Sequence, residues 1–225
     1  MLLEKDSAAG NMKRDIEFFA MHDSPAFRFY GFNSDCITAG YSQDIASEVD
    51  LDKAGILGID IAKRPTGGGI VFHSCEDIAF CCVLPTGMFP NGFMSAYHFV
   101  SDIVLDVLRQ EGVMADKHAD VPGGSADLCF SGAKEYEITF GGKKLVGIAQ
   151  KRTREKILQQ GTICISRPQM DAAAMLKKKH DNKDCFGSAA MLDEVTSNAV
   201  AKDRFLFSLN RLFRERFENP PIYVL

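Results

Sequence analysis

Apolar residues recur at helical spacing in two segments of the chain, 6–22 and 96–111. In the first segment, Asp6 or Ser7 is a suitable helix cap ahead of the apolar positions. These apolar positions are Met12, Ile16, Phe19 and Ala20. The second segment carries its apolar residues on one helical face: Phe99, Ile103, Val104, Val107 and Leu108. Both segments therefore predict helices that pack on a core, and a last helix is expected near 201–217.

Short apolar runs between and after these helices predict β-strands. Asn33-Ser34-Asp35 separates two of the runs as a turn, and the run 70–72 is expected to form a hairpin with the run 78–84. The predicted strands are 27–32, 36–41, 58–62, 70–72, 78–84, 136–140, 145–150 and 157–165. The pattern thus mixes strands with helices, and beyond residue 165 it becomes helical and polar.

Composition narrows the class of protein. With 225 residues, 46% of them hydrophobic, the chain is able to bury a substantial core. We expect a single domain over residues 1–225 whose C-terminal helical part is 166–225, without a large accessory domain. The net charge is −4 and no basic stripe is present, so nucleic acid is not an expected partner. The longest basic run, 177–180, is typical of a solvated helix end, although it could meet the acidic surface of a carrier domain.

Membrane and metal signals are missing from the sequence. No run approaches the roughly 18 consecutive apolar residues of a membrane span, and the N-terminus lacks a basic region followed by an apolar core. A cytoplasmic protein without membrane association is therefore expected. The seven cysteines have no Cys-x-x-Cys spacing and fit free thiols in a reducing compartment. Because no His and Cys cluster has ligand spacing, no metal site is predicted.

Three consecutive glycines, Gly67, Gly68 and Gly69, follow a basic pair and precede the β-branched run of a strand. Glycines allow a ligand to approach the backbone closely, and their N–H groups, beside Lys63 and Arg64, could bind a phosphate or a carboxylate. A tight turn without a ligand is the alternative. Because a strand rather than a helix follows, the loop does not fit a nucleotide-binding P-loop.

Lys144 follows the hairpin glycines 141–142 and begins an apolar strand. Strand alternation then sends Lys143 to solvent and Lys144 inward, where its ammonium could neutralise a phosphate, a carboxylate or a thiolate. The alternative is an exposed hairpin lysine. Cys129 lies fifteen residues earlier and could be a nucleophile if a neighbouring ammonium lowers its pKa, or else a buried and inert thiol.

Several ordered blocks of the chain resemble the lipoate-protein ligase A and octanoyltransferase family, within the biotin/lipoate A/B protein ligase superfamily. The central block is Lys63-Arg-Pro-Thr-Gly-Gly-Gly-Ile-Val-Phe-His73. The other blocks are 6–12, 27–30, 39–43, 142–150 and 158–163. The resemblance implies an α/β (α+β) fold with a mixed, mainly antiparallel sheet flanked by helices.

The same resemblance implies roles for individual residues. Lys144 and Cys129 are the candidate catalytic residues. In ligases of the family the equivalent lysine contacts the acyl-adenylate, and in the transferases it lowers the pKa of a catalytic thiol. His73 is expected to pack beneath the glycine loop, to orient it or to transfer a proton. The implied substrate-binding residues, including the walls of an acyl tunnel, are Arg64, Thr66, Gly67, Gly68, Gly69, His73, Gly147, Ala149, Gly161 and Thr162.

Two chemistries fit this resemblance. In a ligase, ATP with Mg²⁺ activates lipoate or octanoate as an acyl-adenylate, and the absence of a bulky side chain at Gly69 leaves room for the nucleotide. In a transferase, Cys129 takes octanoyl from an acyl carrier protein without a cofactor, which the Cys129 to Lys144 spacing and the short chain favour. Both would modify lipoyl domains of 2-oxoacid dehydrogenase complexes or the glycine cleavage H protein. The ligase is the first interpretation.

A third hypothesis is a protein that binds acyl groups or lipoyl domains without catalysis. It is based on two departures from the family pattern. Ile148 stands where Ser is common, and Gln replaces His in the Gln159-Gln160-Gly161 block. Neither departure removes Lys144.

Overall fold

The structure is a computed structural model that describes residues 3–89, 92–117, 137–177, 185–196 and 202–219. Cys129 and most of the basic run 177–180 lie outside the described residues. Among the residues that are described, no helix is long and apolar enough to cross a membrane. The same residues contain no group of three or more His, Cys, Asp or Glu side chains placed to hold a metal ion.

Ten strands and seven α-helices are formed by the described residues. The strands are β1 (Lys5–Asp6), β2 (Ala26–Phe32), β3 (Cys36–Ala39), β4 (Asp60–Lys63), β5 (Val71–His73), β6 (Ile78–Pro85), β7 (Asp116–Lys117), β8 (Ile138–Phe140), β9 (Lys143–Arg152) and β10 (Lys156–Ile163). The helices are α1 (Ala8–Met21), α2 (Ile45–Glu48), α3 (Leu51–Ile56), α4 (Phe93–Gln110), α5 (Ala172–Met175), α6 (Leu192–Val195) and α7 (Lys202–Glu218).

The strands form a large sheet in the order β1-β2-β6-β10-β9-β8-β7 and a small sheet in the order β4-β3-β5. In the large sheet only β1 and β2 pair in parallel, and every other neighbouring pair is antiparallel. The small sheet has one parallel pair, β3 with β4. Helices pack on both faces of the large sheet. The expected mixed, mainly antiparallel sheet flanked by helices is therefore confirmed.

Each face of the large sheet has its own apolar cluster. On one face, which we call the α4 face, α4 and α7 pack on the sheet through residues such as Ile103 and Phe213. On the other, the α1 face, α1 packs with Ala8 and Met12 on strand residues that include Cys81. The last helix thus shares the main core with the sheet, and the division of the chain into domains stays a prediction.

The hairpin expected between the runs 70–72 and 78–84 is wrong, because β5 and β6 belong to different sheets. Strands β2 and β3, on either side of the turn at 33–35, also belong to different sheets. The turn at 33–35 and the turn after His73 therefore lead the chain from one sheet to the other. Because a strand's partner is set by distant segments, sequence adjacency suggested a hairpin where the fold has a crossing.

The buried stripe of α1 also differs from the predicted one. Ser7 is the cap, and its side chain accepts a hydrogen bond from the Gly10 N–H. The side chains buried in the helix are Ala8, Asn11, Met12 and Asp15, whereas Ile16 is 53% exposed. Two polar residues occupy the core side because strands of the large sheet supply their hydrogen-bond partners.

Candidate active site

The glycine loop connects β4 to β5 and is braced from within by Arg64. The buried Arg64 guanidinium donates to the Thr38 carbonyl (2.9 Å) and hydroxyl (2.7 Å). It also donates to the Gly67 carbonyl at 3.2 Å and to the Gly69 carbonyl at 2.7 Å. Arg64 therefore fixes the loop on the small sheet, in addition to any charge that it offers to a ligand.

The loop glycines have different physical reasons to be glycine. Gly68 has a φ of 93°, a left-handed conformation that side chains rarely adopt. A Cβ added at Gly40 would lie 1.8 Å from the Gly68 carbonyl oxygen, so a second glycine is needed where the loop packs on β3. At Gly67 the φ is not of this kind, and an added Cβ would meet no atom of the described residues within 4 Å. Gly67 thus borders open space, as a glycine beside a ligand would.

Thr66 attaches the loop to the large sheet. Its side chain is fully buried, and its hydroxyl donates to Gln160 Oε1 at 2.7 Å. The Thr66 carbonyl accepts from the Tyr41 N–H at 2.8 Å. The sequence pointed to Thr66 as a substrate-binding residue, and the structure directs its hydroxyl into the protein.

His73 is buried at the end of β5 beside this loop. Its Nε2 lies 2.7 Å from the Thr38 hydroxyl, and its ring packs on Phe32 with the centroids 4.6 Å apart. Burial, and then the charge of Arg64, lowers the pKa of His73 to about 3, so the ring is neutral near pH 7. The role of a packed, orienting residue fits this setting, although proton transfer remains a prediction.

Asp77 is a buried carboxyl group that the sequence reasoning did not connect with His73. Its Oδ2 lies 3.9 Å from His73 Nδ1, an atom that has no hydrogen-bond partner among the described residues. The two carboxyl oxygens accept the backbone N–H groups of Ser74 and Ile165. Burial nevertheless raises the pKa of Asp77 to about 7. The sequence signal that could have linked the two residues is their spacing of four across the turn after β5.

A cavity lies on the α1 face of the large sheet, between the sheet and the small sheet. The empty space in this cavity, including the part that is open to solvent, is about 440 Å³. It brings together six of the predicted substrate-binding residues: Arg64, His73, Gly147, Ala149, Gly161 and Thr162. The remaining lining residues were not predicted and are mainly apolar: Met12, Tyr30, Phe32, Thr38, Val71, Ile148 and Gln160. Thr66, the three loop glycines and Lys144 are not among the lining residues.

Cross-strand register explains why the sheet leaves space here. Gln160 on β10 pairs with Ala149 on one side and Cys81 on the other. Thr162 pairs in the same way with Gly147 and Ala79. Residues that pair directly share a face of the sheet, so four small residues surround two polar ones. That Gly147 and Ala149 keep the wall of an acyl tunnel narrow stays a prediction.

A buried hydrogen-bonded network supports one side of the cavity. The Asp15 carboxylate, 0% exposed, accepts from the Tyr30 hydroxyl at 2.8 Å and from Gln160 Nε2 at 2.6 Å. Its other oxygen pairs with the Arg28 guanidinium. Burial raises the pKa of Asp15, and the charge of Arg28 opposes that rise. Sequence reasoning missed this network because its members come from α1, β2 and β10.

A β-bulge in β9 sets the direction of Lys144. Lys144 lies opposite Thr139, and Val146 lies opposite Ile138, so Leu145 is an extra residue in β9. The extra residue places Lys144 and Val146 on opposite faces of the sheet. Since Val146 packs in the α4 cluster, Lys144 is on the α1 face, as the cavity is.

Lys144 is 3% exposed, whereas Lys143 is exposed, so the predicted alternation is confirmed. Its ammonium forms an ion pair with Glu137, with Nζ 2.8 Å from Oε2. Next to its backbone, Ala189 packs with Val71, which also lines the cavity. The ammonium is thus buried and paired with a carboxylate that the sequence reasoning did not identify.

Comparison with known proteins identifies relatives along most of the chain. Residues 8–200 match the sequence model of the lipoyl protein ligase A/B catalytic domain. An octanoyltransferase LipM of Symbiobacterium thermophilum is 35% identical over 148 residues, which cover 63% of this chain and 54% of that protein. The LipM octanoyltransferase of Geobacillus kaustophilus is 28% identical over 221 residues, covering 88% and 79%. The matches therefore span between about half and four fifths of these relatives.

Solved structures share the fold. A lipoate-protein ligase A bound with ATP superposes with a TM-score of 0.71 at 23% identity, over 97% of this chain and 93% of that one. A bipartite lipoate protein ligase from Thermoplasma acidophilum gives a TM-score of 0.70 at 20% identity, over 96% and 91%. At these identities the likeness concerns the fold alone. With the match over residues 8–200, the chain belongs to the lipoyl protein ligase A/B catalytic-domain family.

Proposed function

We propose that this protein transfers an octanoyl group from an acyl carrier protein to the acceptor lysine of a lipoyl domain. The Cys129 thiolate attacks the carrier thioester, forms an acyl-enzyme thioester and releases the carrier thiol. The ε-amine of the lipoyl-domain lysine then attacks this thioester, which gives an amide and returns the Cys129 thiol. No cofactor is needed for either step.

The observation that carries this proposal is the pairing of a mainly apolar cavity with a buried ammonium on the same face of the sheet. The cavity offers an acyl chain an environment with few polar groups to desolvate. Lys144 supplies a fixed positive charge that would favour a thiolate over a thiol at a nearby cysteine. The names of the octanoyltransferase relatives support the same chemistry.

An ATP-dependent lipoate or octanoate ligase is the second candidate, and Gly67 is the observation that favours it. Its open side would let a phosphate approach the loop backbone, where Arg64 is the cation that contacts the loop. In that reaction ATP activates the acyl carboxylate, and Mg²⁺ would be held largely by the nucleotide phosphates. Because Arg64 already donates to two loop carbonyls, its main contribution would be to hold the loop in position.

The acceptor in both cases would be a lipoyl domain of a 2-oxoacid dehydrogenase complex or the glycine cleavage H protein. The T. acidophilum ligase was studied with its E2 lipoyl domain, which shows that such a pair exists for a protein of this fold. We extend this partner class to the present chain as part of the proposal, together with acyl carrier protein as the donor and the cytoplasm as the location.

The test is acyl transfer to a lipoyl domain, followed by the mass of that domain. Purified protein is given either octanoyl carrier protein or octanoate with ATP and Mg²⁺. Transfer from the carrier protein that is lost in Cys129→Ala establishes the transferase. Transfer only from free octanoate and ATP, retained in Cys129→Ala, establishes the ligase.

Two lysine variants complete this experiment. Lys144→Ala should abolish transfer from whichever donor is used, whereas Lys143→Ala, one residue away and exposed, should retain it. Absence of transfer from both donors by the wild-type protein would contradict both reactions and would leave a binding protein as the function.

A further inference from the structure

A chain of hydrogen bonds leads from Asp15 through Gln160 to Thr66 in the glycine loop. Arg28 and Tyr30 both donate to the Asp15 carboxylate, so the Gln160 group that faces it is the amide NH₂. The Gln160 carbonyl therefore points the other way and accepts from the Thr66 hydroxyl at 2.7 Å. Since Thr66 uses its only side-chain proton in this bond, the charge of a carboxylate in α1 fixes the orientation of a side chain in the loop.

We propose that Gln160 is a positioning residue that holds the glycine loop in place beside the cavity through Thr66. Gln160 lines the cavity and, in the same position, connects Asp15 to Thr66. Its Nε2 also lies 3.3 Å from the sulfur of Met12, a second cavity residue. An acyl chain in the cavity would therefore touch the side chain that sets the position of the loop.

The Tyr41 amide is a reporter of this support that needs no substrate. Its N–H donates to the Thr66 carbonyl at 2.8 Å, so its hydrogen exchange measures whether Thr66 stays in place. Gln160→Met keeps a side chain of similar length and removes both hydrogen bonds. Gln159→Met is the matched control, because Gln159 is the adjacent residue of β10, also buried, and bonds to Gln150 from the opposite face.

Exchange of the Tyr41 amide is measured by NMR in the full chain. In Gln160→Met it should be roughly three- to tenfold faster, the factor that one neutral hydrogen bond contributes. The control Gln159→Met should leave it unchanged. In all variants the Thr86 amide, which donates to the Glu155 carbonyl near the far end of β10, should exchange as in the wild type.

Thr66→Val gives a second, independent test, because it removes the loop's donor and keeps the Asp15 to Gln160 bond. It should accelerate Tyr41 exchange as Gln160→Met does, and it decides the matter if Gln160→Met fails to fold. Unchanged Tyr41 exchange in the folded variants would overturn the proposal, as would equal acceleration in Gln159→Met.

The effect on catalysis rests on the proposed function, whereas the exchange measurement does not. With octanoyl carrier protein or octanoate and ATP as donor, Gln160→Met should lower kcat/KM by up to about 10²-fold, as expected for a displaced loop. If the wild type transfers from neither donor and Tyr41 exchange still responds, the proposed reaction fails and the positioning role stands. If transfer occurs and is equal in Gln160→Met and Gln159→Met, the positioning role fails.

Discussion

Lys144 and Glu137 form a buried ion pair on the α1 face of the large sheet, 2.8 Å from Nζ to Oε2. Their side chains are 3% and 4% exposed. Neither charge can be hydrated well at this depth, so each depends on the other and on the surrounding polar groups. Removing one partner leaves an uncompensated buried charge. The resulting loss of stability is larger than the net stabilisation that the intact pair provides.

Lys144→Met is therefore expected to lower the free energy of unfolding by about 3 to 5 kcal/mol. The double variant Lys144→Met with Glu137→Gln should recover a large part of this loss, because no isolated charge remains. Urea denaturation at pH 7 measures both, with Lys143→Met as the exposed control, for which a change of only about 0.5 kcal/mol is expected. A double variant that is no more stable than Lys144→Met would contradict this coupling.

Gly67 and Gly68 should respond differently to the same substitution. Gly68→Ala places a Cβ on a backbone with a φ of 93° and should destabilise the protein by about 1 to 2 kcal/mol. The methyl group of Gly67→Ala meets no atom within 4 Å in the part of the chain that the structure describes, so this change should leave stability unchanged or raise it by up to about 1 kcal/mol.

If a ligand approaches Gly67, the alanine methyl group will obstruct it. Gly67→Ala should then raise KM for the acyl donor or for ATP while thermal unfolding stays as in the wild type. Unaltered transfer kinetics in Gly67→Ala would show that the open side of the loop is not used by the reaction.

Local patterns predicted the parts of the site that depend on neighbours in sequence. Alternation alone placed Lys144 inside and Lys143 outside. It could not show which face of the sheet Lys144 occupies, because that depends on a bulge defined by pairing with β8. Periodicity likewise predicted helix α1, but it placed Ile16 on the buried face, where the structure has Asp15. A buried carboxylate becomes foreseeable only once its partners on β2 and β10 are known.

Gly161 and Phe80 are directly paired on β10 and β6. A Cβ at Gly161 would lie 2.0 Å from Cζ of the fully buried Phe80 ring. Gly161→Ala should therefore destabilise the protein by about 1 to 3 kcal/mol through overpacking. The double variant Gly161→Ala with Phe80→Leu should be more stable than the sum of the single effects predicts, as measured by urea denaturation. If the effects of the two single substitutions simply add in the double variant, the Phe80 ring moves aside freely and the overpacking argument is wrong.

His73 and Asp77 have opposite effects on the pH dependence of stability. The pKa of His73 is lowered to about 3, so below pH 6.5 the unfolded chain takes up a proton that the native state does not, and stability falls as pH falls. The pKa of Asp77 is raised to about 7, so the native state is protonated first and stability rises as pH falls from 7 towards 3.8. Between pH 7 and 5 the two contributions nearly cancel.

His73→Gln should uncover the contribution of Asp77, because the glutamine cannot titrate and can still bond to Thr38. Relative to the wild type, this variant should gain about 2 kcal/mol of unfolding free energy when the pH is lowered from 7 to 5. Asp77→Asn should show the opposite change, a loss of about 2 kcal/mol over the same range. Urea denaturation at pH 7, 6 and 5 gives both slopes. Parallel pH profiles for the wild type and the two variants would contradict a neutral His73 beside a protonated Asp77, since the slopes arise only from those two states.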